Sequence, residues 1–248
     1  DLAIADMNGD TINDIVCAWD AFGSGVFVLY GLGGGAFESA PSTFLDTPGD
    51  TPSAVNVADF DGNGFQDIVC GFVSQPHVYV FLNSGGGSFD AGTPYAFGSS
   101  EADDVAIVDF DGDAVADVVV GTASNISDDG VRLLLGNGDG TFASPQLLSA
   151  NRNASVLAVA DIDQDADDDI FYVGPASFVA ILNDGLGGVE AELDLPSQGQ
   201  GADVIVPADM NADGAIDLVN LDENGPTVSV RFSTLPVLDC NANGVGDR

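Results

Sequence analysis

The sequence predicts an all-β fold, a β-propeller of about five four-stranded antiparallel blades. Three observations predict it: a repeat of about fifty residues, short β-branched runs bounded by turn residues, and an aspartate-rich loop recurring at the same place in each repeat. The loops are Asp6–Asp14, Asp59–Asp67, Asp109–Asp117, Asp161–Asp169 and Asp209–Asp217, and their starts lie 53, 50, 52 and 48 residues apart.

The flanks repeat with the loops. Apolar residues alternate before each one (Leu2/Ile4, Val55/Val57, Val105/Ile107, Leu157/Val159, and Ile205 with Pro207), which predicts a first strand. An apolar run follows each loop directly (Ile15-Val16, Ile68-Val69, Val118-Val119, Ile170-Phe171, Leu218-Val219) and predicts a second. Third strands are expected at Val26–Tyr30, Val78–Leu82 and Val131–Leu135. Glycine-rich turns ending in Phe37, Phe89 and Phe142 come next, then a weaker fourth strand such as that around Leu147-Leu148. Several runs are apolar on both faces, as expected of sheets covered by a neighbour on each side. A stacked solenoid is the competing repeat architecture, but its units run shorter per strand set. Pro207 fits a propeller, whose first strand lines the channel and keeps one unpaired edge where a missing N–H is tolerated. The expected organisation is a repeat domain over residues 1–235 and the start of a tail over 236–248.

Forty acids face four bases, all arginine, for a net charge of −36. That excludes the basic surface on which phosphate recognition depends, and argues against docking on an anionic leaflet. No apolar run approaches the ~20 residues that span a bilayer, so neither nucleic-acid binding nor membrane insertion is expected. Yet 45% of the residues are hydrophobic and the mean hydropathy is +0.21, values of a chain that folds. Only five acids are glutamate, and 35 aspartates point to tight loops whose side chains turn back on their backbone or on an ion. A salty habitat would also favour an acidic surface. The chain opens in mid-pattern at Asp1, compatible with a leader removed upstream.

Each loop places side-chain oxygens at positions one, three, five and nine and offers a backbone carbonyl at position seven. By that spacing a short loop wraps a hard cation in oxygen. Carboxylates with no His or Cys among them disfavour zinc and copper. Without a cation, three or four carboxylates would lie within a few ångströms of one another at a considerable electrostatic cost. Calcium is therefore the expected ion, about five per chain.

The pattern Asp-x-[Asp/Asn]-x-[Asp/Asn]-x-x-x-Asp resembles the FG-GAP/VCBS repeat family, which includes the propeller of integrin α subunits. The likeness runs to about residue 235. It implies a calcium ion in the hairpin between the first and second strand of each blade. The implied side-chain ligands are Asp6, Asn8, Asp10 and Asp14; Asp59, Asp61, Asn63 and Asp67; and Asp109, Asp111, Asp113 and Asp117. In the last two loops they are Asp161, Asp163, Asp165 and Asp169, then Asp209, Asn211, Asp213 and Asp217. Carbonyls of Ile12, Phe65, Val115, Asp167 and Ala215 complete the shells. The family's glycine at position six survives only as Gly64 and Gly214. Thr11, Ala114 and Ala166 replace it, with strain if the position needs a positive φ. A sixth loop, with Asp239, Asn241, Asn243, Val245 and Asp247 at the ligand positions, begins only 30 residues after the fifth and breaks the register. It resembles the calcium loops of dockerin-type or thrombospondin type 3-like tails and implies a possible sixth ion.

Other residues carry less. Cys17 and Cys70 hold equivalent places in units one and two, too far apart to bridge, and read as small buried hydrophobes. Cys240 has no evident partner in the sequence. His77, the single histidine, with Ser74 nearby, has nothing further to make a catalytic triad. Asp103-Asp104, Asp128-Asp129 and Asp222-Glu223 are the densest acids outside the loops and read as solvated charges. Asn125 and Asn153 open glycosylation sequons. Trp19 is either a sugar-stacking platform or blade packing, the second being the plainer reading.

The expectation is an extracellular calcium-binding module, not an enzyme, secreted or at the surface of a bacterial cell. Its face loops would take a protein or carbohydrate ligand. The alternatives are a structural subunit of a surface layer or filament, associating through an unpaired blade edge, and a polysaccharide-active enzyme.

Overall fold

The computed structural model describes residues 1–19, 24–47, 50–73, 75–98, 101–123, 130–150, 153–174, 177–196, 202–222 and 227–231. Every described element is a β-strand, and each repeat forms its own antiparallel sheet. Blade one consists of β1 (Leu2–Ala5), β2 (Asp14–Trp19), β3 (Gly25–Leu29) and β6 (Thr43–Asp46). A small hairpin of β4 (Gly31–Gly33) and β5 (Ala36–Phe37) interrupts it. Blade two is β7 (Pro52–Ala58), β8 (Asp67–Phe72), β9 (His77–Phe81) and β10 (Thr93–Ala96). Blade three is β11 (Asp104–Val108), β12 (Asp117–Thr122), β13 (Gly130–Leu134) and β14 (Gln146–Ala150). Blade four is β15 (Leu157–Ala160), β16 (Asp169–Val173), β17 (Ser177–Asn183) and β18 (Val189–Pro196). Blade five shows β19 (Ala202–Ala208), β20 (Asp217–Asp222) and β21 (Thr227–Arg231). The chain is thus a five-blade propeller of small antiparallel sheets. The tail loop Asp239–Asp247 lies outside the described residues, as do Cys240, Ser74, Asn125, Asp128, Asp129 and Glu223.

The first strands sit innermost and side by side in chain order, β1 by β7, β7 by β11, β11 by β15 and β15 by β19. Those of blades one to four line an axial cavity of about 470 Å³. Pro207, in β19, occupies the sheet edge where its missing N–H removes no ladder bond from a central strand. Among the described residues no helix is long and apolar enough to cross a membrane.

The core is divided into four interblade layers, one between each successive pair of blades. Val16, Val26 and Val28 of blade one meet Ile68, Cys70 and Phe72 of blade two. Blades two and three meet through Val69, Val80, Val105 and Val118, and blades three and four through Val119, Leu133, Ile170 and Tyr172. Phe171, Leu182, Ile205 and Leu218 form the fourth layer. This is why the second strands are apolar on both faces: β8, β12 and β16 are buried along their whole length. Cys70 is a free thiol in the first layer, its pKa raised by burial; Cys17, also free, lies on the other face of blade one.

Hydrogen bonds stitch the layers. The Asp104 carboxylate accepts from Leu157 N of the next blade at 2.8 Å, and Asp1, in the equivalent position, accepts from Val55 N at 2.9 Å. Asp104 is therefore not the solvated charge that its sequence suggests. Burial pushes its carboxyl up to about 6, against the pull of the bonds from Leu157 and Val105. Asp103 in turn accepts from Ala123 N at 2.7 Å.

The two end blades each keep one such face exposed. On blade one it carries Leu2, Ile4, Trp19 and Phe44, with Leu2 59% exposed. On blade five it carries Val204, Val206, Leu221, Val228 and Val230, with Val228 68% exposed. Trp19 thus lies half exposed on an open blade face rather than in an interblade layer.

Candidate metal centre

Each acidic loop joins the first strand of a blade to the second, and one local mechanism shapes all five. The aspartate at position one folds the loop around its carboxylate. Asp6 accepts from Gly9 N at 2.8 Å and from Thr11 N at 2.7 Å. Asp59 accepts from Asn63 N and Gly64 N at 3.1 and 2.8 Å, and Asp109 from Asp113 N and Ala114 N at 3.1 and 2.9 Å. Asp161 and Asp209 repeat the arrangement. At position five, Asp10, Asn63, Asp113, Asp165 and Asp213 each accept from the N–H two residues on. Short carboxylates and amides closing turns on their own backbone account for the excess of aspartate over glutamate.

This folding requires a left-handed residue at position six, where φ is +71° at Thr11, +89° at Gly64, +66° at Ala114, +81° at Ala166 and +89° at Gly214. The three loops without glycine there carry the strain that the sequence suggested. Position four is left-handed as well, at Gly9, Gly62, Gly112, Gln164 and Ala212.

The aspartate at position nine is a buried clamp. Asp67 accepts from Phe60 N within the loop at 2.8 Å and from Asn83 N at the end of the third strand at 2.7 Å. Asp14 binds Met7 N and Gly31 N in the same way, Asp117 binds Phe110 N and Gly136 N, and Asp169 binds Ile162 N and Asn183 N, all between 2.7 and 2.9 Å. Asp217 accepts from Met210 N at 3.0 Å. Burial pushes the Asp67 and Asp117 carboxyls up to about 6 and Asp169 to about 7; the two backbone donors pull the other way and nearby loop aspartates add to the rise. By contrast, the bond from Gly214 N leads the effects that hold exposed Asp209 below its ordinary value.

In three loops the carboxylates of positions one, three and nine converge. Asp59, Asp61 and Asp67, then Asp109, Asp111 and Asp117, then Asp161, Asp163 and Asp169 each bring three oxygens within 4.8 Å of one another. Loops one and five have Asn8 and Asn211 at position three, so an amide stands in place of one carboxylate. A hard divalent cation fits this donor set, which consists of oxygen alone. The orphaned atoms test the fit: Asp111 Oδ1 and Asp163 Oδ2, both at position three, are buried without a hydrogen-bond partner. A buried acceptor with no donor costs free energy that a cation at the centre of the loop would recover.

The sequence reading missed position two. Met7, Phe60, Phe110 and Ile162 are buried there. Phe60 packs edge-on against Phe142 of the following blade, ring centroids 5.3 Å apart. The backbone carbonyls at this position accept from the next blade too: Met7 O from Asn83 Nδ2 at 2.8 Å, Phe60 O from Gly140 N at 3.0 Å and Phe110 O from Gly187 N at 3.2 Å. Each of the first three loops is thereby keyed into the blade that follows it. Met210 of blade five, with no following blade among the described residues, is exposed. The signal was in the sequence, an apolar residue inside an acidic loop five times over. Away from the loops, His77 Nε2 lies 3.3 Å from Asp50 Oδ2, with its ring against Phe72 and Tyr79.

A family model of the FG-GAP-like repeat matches residues 6–70, 59–120 and 122–172. The chain belongs to the FG-GAP-like repeat family. Among solved structures, this FG-GAP protein is similar to an Agrocybe aegerita lectin that recognises non-reducing terminal N-acetylglucosamine, at 24% identity and TM-score 0.65 over 95% of this chain and 63% of the lectin chain. It is also similar to BBS1N from a complex with ARL6DN, at 15% identity and TM-score 0.59, covering 92% of this chain and 66% of that one. The V. cholerae biofilm matrix protein Bap1 matches at 17% identity and TM-score 0.51, over 88% of this chain and 34% of Bap1. The FG-GAP chain thus spans less than two thirds of the lectin's length, and likenesses at this identity speak for the fold. No curated protein matches.

Proposed function

We propose that this FG-GAP propeller is an extracellular calcium-binding module, secreted or at a bacterial cell surface. It would hold a protein or carbohydrate ligand by its face loops and act by binding rather than catalysis. The observation that carries the calcium reading is the convergence of carboxylates at positions one, three and nine around a buried carboxylate oxygen without a partner. The ligands would be the residues at positions one, three, five and nine of the five loops, with the carbonyls at position seven; the tail loop Asp239–Asp247 would take a sixth ion. Five calcium ions would bring the net charge from −36 to −26 at the places where negative charge is densest. They would also hold the first three loops in the shape that keys each to the next blade, so that binding energy becomes folding energy. Millimolar extracellular calcium suits such open, surface loops.

The ligand-binding part is supported by the likeness to a lectin, the rigidity of the blades and the freedom of their connecting loops to vary. Metal analysis of protein purified without chelator should find five to six calcium ions, and EDTA should lower the melting temperature by ten degrees or more, about what the loss of several kcal/mol produces. No bound calcium and a melting curve indifferent to EDTA would overturn the reading. A glycan array in calcium tests the ligand class, with terminal N-acetylglucosamine included as one probe.

A second reading, a structural subunit of a surface layer or filament, is favoured by the exposed apolar faces of blades one and five. Apolar surface of that kind is uncommon on a free monomer. Calcium-dependent ordered polymers seen by electron microscopy would support it, and a monomer at high concentration would count against it.

A further inference from the structure

The fourth loop differs from the others in what surrounds it. Besides Asp161, Asp163 and Asp169, a second group of carboxylates comes together there: Asp163, Asp165 and Glu190 have ligand oxygens within 4.8 Å of one another. Glu190 does not belong to the loop. It lies at the start of β18, more than twenty residues downstream.

The position-nine clamp brings it there. Asp169 accepts from Asn183 N at 2.9 Å and so fixes the end of β17 against the loop. The turn that follows is closed by Asp184, which accepts from Leu186 N and Gly188 N at 2.9 and 2.8 Å. A register shift where Asn183 pairs with Val189 then delivers Glu190 beside the loop.

The matching residues of other blades are engaged elsewhere or carry no charge. Gly31, Asn83 and Gly136 pair with Phe37, Phe89 and Phe142 as Asn183 pairs with Val189, so Glu190 corresponds to Glu38, Asp90 and Ala143. Glu38 accepts from Ser42 Oγ at 2.7 Å, and Asp90 accepts from Leu82 N and Gly92 N at 3.2 and 2.8 Å. Blade four is also the one blade of the first four in which the phenylalanine ending that turn is replaced, by Val189.

The residue common to both carboxylate groups is Asp163. It is only 4% exposed, and its Oδ2 has no hydrogen-bond partner. Two acidic groups sharing one buried carboxylate whose Oδ2 has no partner call for positive charge at that oxygen, and no lysine, arginine or histidine supplies it in the loop or the adjoining turn.

We propose that Glu190 is a ligand of the fourth-loop cation, making this centre the most highly charged of the five and the one that ties the outermost strand of its blade to the metal. The inference rests on the calcium reading above and extends it to a residue that the loop pattern does not contain. Affinity for calcium in such sites rises with the number of charged ligands and the rigidity of their support. The fourth centre should accordingly fill first.

The test is calcium titration of the whole chain by calorimetry in competition with a chelator, on wild type, Glu190→Gln and Glu38→Gln. The control removes the same charge at the matching place in blade one. Glu190→Gln should weaken the tightest class by about tenfold, the effect of losing roughly 1.4 kcal/mol, and leave the remaining sites as they were; Glu38→Gln should not move the tightest class. Anomalous scattering from crystals grown with terbium should place an ion within bonding distance of both Asp163 and Glu190. Wild-type affinity in Glu190→Gln, or a terbium ion in the fourth loop remote from Glu190, overturns the assignment while leaving calcium in the loops intact. Absence of calcium binding by the wild type would instead remove the reading on which it rests.

Discussion

Replacing Asp117 by asparagine separates the two tasks assigned to the position-nine aspartate. Its Oδ2 accepts from Phe110 N at 2.8 Å and its Oδ1 from Gly136 N at 2.7 Å, and the residue is 1% exposed. Asparagine keeps one acceptor and turns an amide NH2 toward the other donor. One buried N–H then loses its partner, a cost of about 1–3 kcal/mol that needs no metal to appear. With calcium present a second loss is added. A site filled at a hundred times its dissociation constant contributes about 2.7 kcal/mol, and a loop whose closing ligand is gone forfeits most of it. Urea unfolding followed by far-UV circular dichroism, with EDTA and with saturating calcium, should therefore show a destabilisation of about 1–3 kcal/mol rising to about 4–6 kcal/mol. Wild-type stability of the variant in EDTA would refute the clamp. An equal loss in both conditions would refute the link between clamp and ion.

Three further outcomes are expected. Asp67, Asp104, Asp117 and Asp163 near 6 and Asp169 near 7 lie above the value of about 3.9 for an unfolded aspartate. The folded chain therefore binds more protons between about pH 4 and 7, and its metal-free stability falls as pH rises through that window. Thermal melts in EDTA should show a higher midpoint at pH 5 than at pH 7.5, and calcium, which needs the same carboxylates ionised, should narrow or reverse the difference. Ala114→Gly should stabilise by up to about 1 kcal/mol by relieving a left-handed alanine. Gly64→Ala should destabilise by a similar amount, since its new Cβ would meet nothing within 4 Å and only the φ of +89° opposes it; chemical denaturation in calcium checks both.

Much of this architecture was legible from residue order because a propeller is a repeat of local events. An Asp6 or Asp109 carboxylate folds back on N–H groups four or five residues away, and β1 pairs with β2 across that same loop. Interactions of such short range leave a period in the sequence, and five copies in register make the period plain. The strain at Thr11, Ala114 and Ala166 was legible for the same reason, since a turn of fixed shape needs a left-handed residue at a fixed place.

What the order of residues left undecided are the contacts between repeats. Asp104 looked like one of many solvated acids until the next blade brought Leu157 N to it; Phe60 looked like an oddity in a polar loop until Phe142 was set against it. Glu190 fits no loop pattern, because a bulged strand far along the chain delivers it to Asp163. The amino-acid sequence by itself determined the strands, the turns and the acidic centres, whose hydrogen bonds close within one repeat. Only the tertiary structure decided which blade buries which side chain and which carboxylates share a centre, because those energies arise from surfaces that meet across the repeat boundary and leave no spacing to read.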